Sequence, residues 1–203
     1  SPLYSGAVLR INPLAFGLKG YTAPINNPFI NQGDVNDEIF MTGAQDIVQF
    51  IWPNKEDNQL LISHIFNNAQ QLSLSQGKDD WRGSAPQTVV WKTDKPLNNN
   101  AMVSYRGKAL SHLWGRVLVV NQQEGHWQLL SMLMPSQIGE MSTPTLEWQL
   151  PGSAKIKSES GAKAYGLFTV PTEELALFDF TTNNLSVLSL ASVSEEVSSD
   201  SEG

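Results

Sequence analysis

Between Thr145 and Leu150 the chain alternates without a break, with Leu146, Trp148 and Leu150 on one side and Thr145, Glu147 and Gln149 on the other. A period of two is what a strand with one buried face requires. Apolar runs of strand length recur upstream at 59–66 (QLLISHIF), 87–93 (QTVVWKT), 101–107 (AMVSYRG), 113–120 (LWGRVLVV) and 126–134 (HWQLLSMLM). The polar stretch NQQEGH at 121–126, with Gly125 near its end, predicts a hairpin connection. Beyond Pro151, the segments KAYGLFTV, LALFDF and LSVLSLASV predict further short strands, with Asn183–Asn184 as a turn. Near the N-terminus GAVLRI predicts a strand. Pro13, Pro24 and Pro28 forbid a long helix in the Pro-, Gly- and Asn-rich remainder.

One segment follows a different rhythm. In MTGAQDIVQFIWP, Thr42 and Gln45 fit a capping box, and Ile47, Phe50 and Ile51 follow at i, i+3 and i+4. Pro53 would end it, so the spacing predicts a helix of about two turns. Many short strands with almost no helix predict an all-β fold, a jelly-roll β-sandwich. The short helix would precede the second half of the strands, and an extra β segment would follow at the C-terminal end. The expected organisation is an extended arm at 1–36, the jelly-roll core at 37–155, additional strands at 156–193 that would suit a surface protrusion, and an acidic tail at 194–203.

Composition narrows the function classes. Forty per cent of the 203 residues are hydrophobic and 16% charged, the balance of a packed globular body. No apolar run reaches the roughly 20 residues of a membrane helix, so no membrane partner is expected. Cysteine is absent, which removes disulfides, thiolate metal sites and a cysteine nucleophile. Ser1 in place of Met reads as the product of a cleavage, biological or from an expression tag. The net charge of −7 lies entirely in residues 164–203, which carry seven acids and no Lys or Arg; residues 1–163 carry 13 of each sign. Phosphate-dominated nucleic-acid binding needs clustered cations, and none cluster here.

Chemistry is thin. GKDDWRG (Gly77–Gly83) gathers Asp79, Asp80, Trp81 and Arg82 between two predicted strands. Adjacent carboxylates rarely share a cleft, so this reads as a structured loop, Trp81 anchoring it and an Asp–Arg pair holding the turn. His64, His112 and His126 lack metal-ligand spacing. His64 is in phase with Leu60, Ile62 and Phe66 and is expected in the core; His112 and His126 sit at strand starts. Neither a G-x-S-x-G elbow nor a phosphate-binding glycine loop occurs. The expectation is therefore no catalytic residue, no cofactor and no metal, hence no enzyme. Six tryptophans (52, 81, 91, 114, 127 and 148) are many for this length. Trp91 and Trp148 are in phase with apolar neighbours and are expected to be buried. Exposed ones would suggest sugar stacking.

The order of these pieces resembles the middle of the coat proteins of picorna-like plant viruses, secovirids of the cheravirus type. A segment ending FIWP, the strand NQLLISHIF, the DDWRG loop and the strand QTVVWKT follow in the order of that family. GHWQLLSMLMPSQIGEMSTPTLEWQLPGSAKI is similar in layout to its last two strands. About 50 residues then follow LPGSAKI, an addition to the family's pattern. The resemblance covers roughly residues 40–155. It implies an eight-stranded jelly roll and a structural capsid protein, a polyprotein cleavage product that joins other coat protein subunits in an icosahedral virion. The shell would enclose viral RNA, contacted weakly by this chain. Two rival readings remain: a carbohydrate-binding β-sandwich using exposed Trp, and a hydrolase with a spatially assembled Ser-His-Asp site.

Overall fold

Thirteen antiparallel strands build the described part of the chain, which in this computed structural model comprises residues 4–13, 20–54, 58–93, 101–153 and 165–189. They form four sheets. β1 (Val8–Leu9) pairs with β2 (Ile39–Met41). β3 (Ile47–Ile51), β4 (Leu60–Phe66), β5 (Ala69–Ser75) and β6 (Thr88–Lys92) form the second sheet. β7 (Met102–Ser104), β8 (Val117–Gln123), β9 (His126–Met132) and β10 (Thr145–Ser153) form the third. β11 (Tyr165–Thr169), β12 (Leu175–Asp179) and β13 (Asn184–Leu188) form the fourth.

The all-β expectation holds, but the jelly roll does not. A jelly roll is wound from Greek keys, which place strands distant in sequence side by side. Here every sheet of three or four strands is a meander whose strands follow chain order. Two-residue turns make this local pairing possible. Asn67 and Asn68 close β4–β5 with φ of 50° and 58°, and Glu124–Gly125 close β8–β9 with φ of 49° and 85°. Both residues left-handed is the geometry that matches strand twist.

The predicted helix is a strand. Residues 47–51 pair with β4, Ile47 opposite His64 and Phe50 opposite Ile62, across a register shift between Ile47 and Gln49. Gly43 and Asp46 stand at φ of 85° and 40°, values that no α-helix accommodates. The shift displaces the apolar positions from strict alternation and produces the helix-like spacing.

Each sheet stacks face to face on the next. Val8, Phe40 and Met41 meet Leu60, Ile62 and Trp81 between the first and second sheets. Leu61, Leu72, Val90 and Trp91 meet Met102, Val117, Val119 and Leu130 between the second and third. Leu118, Val120 and Leu129 meet Leu167, Leu175 and Leu177 between the third and fourth. The middle sheets are therefore covered on both faces, which is why β4 and β8 read as continuous apolar runs. Full burial of each such side chain contributes roughly 1.5–3 kcal/mol.

The first strands of the three larger sheets lie side by side, β3 beside β7 and β7 beside β11. The Gln49 amide seals the first junction: its Nε2 donates to the Met102 carbonyl at 2.8 Å and its Oε1 accepts from the Met102 N–H at 3.0 Å. Stacked meanders with adjacent first strands are the arrangement of propeller blades.

Candidate functional site

Because neighbouring strands run antiparallel, the β3–β4, β7–β8 and β11–β12 connections leave the stack at one end. Three hydrogen bonds weld them together. Ser104 Oγ and Arg106 donate to the Pro53 carbonyl, at 2.7 and 2.9 Å. The Tyr105 hydroxyl donates to the Glu173 carbonyl at 2.7 Å.

Tyr105 organises the β7–β8 loop. Fully buried, it also accepts the Leu110 N–H at 3.0 Å, while the Lys108 N–H donates to the Glu173 carboxylate at 3.1 Å. Gly107 must lack a side chain, since an ideal Cβ there would lie 2.0 Å from the Glu173 carbonyl oxygen. Leu110 and Leu113 plug the core from a single 3-10 turn, Ser111–Leu113. Gly115, at φ of 78°, then returns the chain, its N–H donating to the Tyr105 carbonyl at 2.9 Å.

This frame presents Trp114, which is 59% exposed. The Arg106 guanidinium lies over its ring, 5.1 Å from the centroid. That is a cation–π pair, and the Pro53 carbonyl fixes the cation from a second direction. Trp52, 39% exposed, leaves β3 at the same end with its ring edge-on to Phe40.

Next along the chain from Trp114 and Gly115, Arg116 begins a polar chain across the third sheet. Arg116 donates through Nε to Ser131 Oγ at 2.7 Å and through a terminal nitrogen to Thr145 Oγ1 at 3.3 Å. Ser131 donates in turn to Glu147, whose other oxygen lies 3.6 Å from His112 Nε2. A shallow cleft of about 450 Å³ opens beside Arg116, lined by Leu133, Pro135, Glu140, Met141, Ser142 and Thr143. The exposed indole with a guanidinium over it suits a polyhydroxylated ligand with an apolar face.

The groups expected from the sequence lie elsewhere. Residues 78–81 run alongside β2 and extend the first sheet: the Lys78 N–H donates to Phe40 O at 2.9 Å, Thr42 N–H to Asp79 O at 3.0 Å and Trp81 N–H to Thr42 O at 3.0 Å. Trp81 is buried, its ring 5.3 Å from that of His64. Asp79 accepts from Ser75, whereas Asp80 is forked by Arg82. The two carboxylates have different partners and share no cleft. Arg82 holds the Asp80 carboxyl below the usual carboxylate range through these hydrogen bonds.

Neither histidine–serine arrangement is a catalytic triad. A triad needs the imidazole between nucleophile and acid. In one cluster Glu147 stands between Ser131 and His112. In the other, His64 Nε2 lies 2.9 Å from Ser73 Oγ inside the core, but its Nδ1 has no partner. Burial lowers the His64 pKa to about 4. Among the described residues, no group of three or more His, Asp or Glu could hold a metal ion. No helix among them is long and apolar enough to cross a membrane.

Of the tryptophans, 81, 91 and 127 are buried and Trp148 is half-buried at the core edge. The sequence gives no phase for Trp114, and reading it missed Arg106, Tyr105 and Arg116. The one available signal was Gly107 and Gly115 bracketing a loop of mixed aromatic and basic residues.

No protein-family model matches the chain, and no curated protein does. Solved structures resemble its fold. The soluble aldose sugar dehydrogenase of Escherichia coli, in its apo form, matches with a TM-score of 0.51 and 14% identity, over 85% of this chain and 52% of that one. An oxidoreductase of Thermus thermophilus, named a glucose dehydrogenase, matches at 0.55 and 15%, over 86% and 48%. A further glucose dehydrogenase matches at 0.57 and 13%, over 92% and 51%. The chain thus spans about half the length of each. These neighbours are enzymes that handle sugars, which overturns the capsid and virion reading and the expectation of no enzymatic role.

Proposed function

We propose that this chain is a sugar-binding part of an oxidoreductase of propeller fold, with the sugar seated on Trp114. The observation that carries this is the exposure of Trp114 on a rigid frame. Stability does not call for a large aromatic ring in solvent, yet Arg106, Tyr105, Gly107 and Gly115 hold its loop in place. A pyranose would lay its C–H face on the indole, while the Arg106 guanidinium donates to its hydroxyls. The neighbours named for aldose and glucose oxidation support a sugar as the ligand.

Tryptophan fluorescence titrated with a panel of neutral aldoses and uronates tests the reading. Saturable quenching by at least one sugar, lost in Trp114→Ala, is the expected result. Oxidation of an aldose needs a two-electron acceptor, so the same panel is assayed with an added redox dye. A sugar that binds without dye reduction confines the role to binding. Absence of any saturable response overturns the proposal.

A further inference from the structure

The connection that carries Trp114 is one-sided in charge. Residues 105–116 join β7 to β8 and hold Arg106, Lys108 and Arg116 with no Asp or Glu, in a chain whose net charge is −7. Glu147 accepts from Ser131, the hydroxyl that also takes the Arg116 Nε–H, and so balances Arg116. Glu173 accepts the Lys108 N–H at 3.1 Å. Arg106 has no carboxylate partner among the described residues, whereas Arg82 is paired with Asp80.

Arg106 is nonetheless held in place. One N–H donates to the Pro53 carbonyl at 2.9 Å, and the guanidinium carbon lies 5.1 Å from the centroid of the Trp114 ring. That separation exceeds the roughly 3.5–4 Å of flat contact, so the cation is not flush on the indole. The side chain is exposed, and its remaining N–H donors have no partner among the described residues. A cation fixed beside an exposed ring is ordered before any ligand arrives, which removes part of the entropic cost of binding.

We infer that the Trp114 platform selects a sugar that carries an anionic group at the edge of its ring, a carboxylate or a phosphate ester, over a neutral aldose. The inference rests on the sugar-binding reading of Trp114 and adds the charge of the ligand to it. When the C–H face of a pyranose lies on an indole, the substituent at C5 projects from the ring edge, where a guanidinium beside the indole can meet it. The planar guanidinium matches such an anion with two parallel N–H···O bonds, and charge-assisted bonds are about twice as strong as those between neutral groups. The chain as a whole repels anions, so a preference for one comes from a local group.

Calorimetric titration of the full chain tests this with glucose, galactose and mannose, each beside its uronate and its 6-phosphate. Wild type, Arg106→Gln and Arg106→Lys are compared, with far-UV circular dichroism to check that each variant is folded. The expected result is an anionic sugar bound about tenfold or more tighter than its neutral parent, the advantage shrinking as salt is raised and falling to within about threefold in Arg106→Gln. Arg106→Lys keeps the charge without the fork and should retain part of the advantage. Whether the uronates or the 6-phosphates gain more assigns the anion to a carboxylate or a phosphate. Neutral sugars bound as tightly as their anionic forms overturn the inference and leave the Trp114 site standing. So does an advantage that both folded variants keep in full. When no sugar binds, the Trp114 reading falls and this inference with it.

Discussion

Lowering the pH from 7 to 5 should remove a definite share of this protein's stability at His64. Its ring is buried against Trp81, with Ser73 on Nε2 and nothing on Nδ1, and burial sets its pKa at about 4 against the ordinary 6.5. The unfolded chain therefore binds a proton at a pH where the folded one refuses it. Stability from this group is complete above the unfolded value and drains away as pH falls from 6.5 towards 4. With those two values the loss between pH 7 and pH 5 is about 2 kcal/mol, approaching about 3 kcal/mol below pH 4. Acidification acts on the whole chain, so the difference from His64→Phe isolates the effect. That variant keeps a ring against Trp81 and has no proton to gain. Urea unfolding at pH 7, 6 and 5 should show the wild type losing about 2 kcal/mol more than the variant. Parallel pH dependences, within about 0.5 kcal/mol, would refute the account of a buried neutral imidazole.

Other perturbations have sharp expectations. Trp81→Ala should cost about 3–5 kcal/mol in urea unfolding, because it removes a buried ring from the core between the first two sheets. A loss under about 0.5 kcal/mol would show that the loop is not anchored there. Gly107→Ala forces a methyl into the Glu173 carbonyl and should destabilise by more than about 1 kcal/mol while weakening sugar binding. Unchanged stability and binding in that variant would mean that the β7–β8 and β11–β12 loops are not locked as described.

The strands that the sequence shows best are those whose neighbours are simplest. β4, β8, β9 and β10 are apolar enough, or alternate cleanly enough, to be read directly, and their turns carry Asn or Gly where left-handed backbone is needed. β5 went unread because its buried positions include Gln70, Ser73 and Ser75. The polar groups that disguise it are paired inside: Gln70 with Ser63, Ser73 with His64, and Ser75 with Asp79. β3 imitated a helix because its register shift moved the apolar positions. What no local pattern carries is which sheet covers which. A jelly roll and a stack of meanders use strands of the same length and rhythm, and they differ in pairings between distant segments. The coat-protein resemblance rested on the order of elements, and the jelly roll it implied is not the topology that these strands adopt. The Trp114 platform was hidden in the same way. Arg106 and Trp114 are eight residues apart, and their meeting depends on Tyr105 reaching Glu173 in the β11–β12 connection.

The central claim is that Trp114 is exposed to hold a sugar, and calorimetric titration tests it most directly. The best-quenching aldose is titrated into the wild type and into Trp114→Ala, after urea unfolding has shown the two equally stable within about 0.5 kcal/mol. The account predicts saturable heat in the wild type and an affinity lower by tenfold or more in the variant. Equal affinities in two equally stable proteins would contradict it.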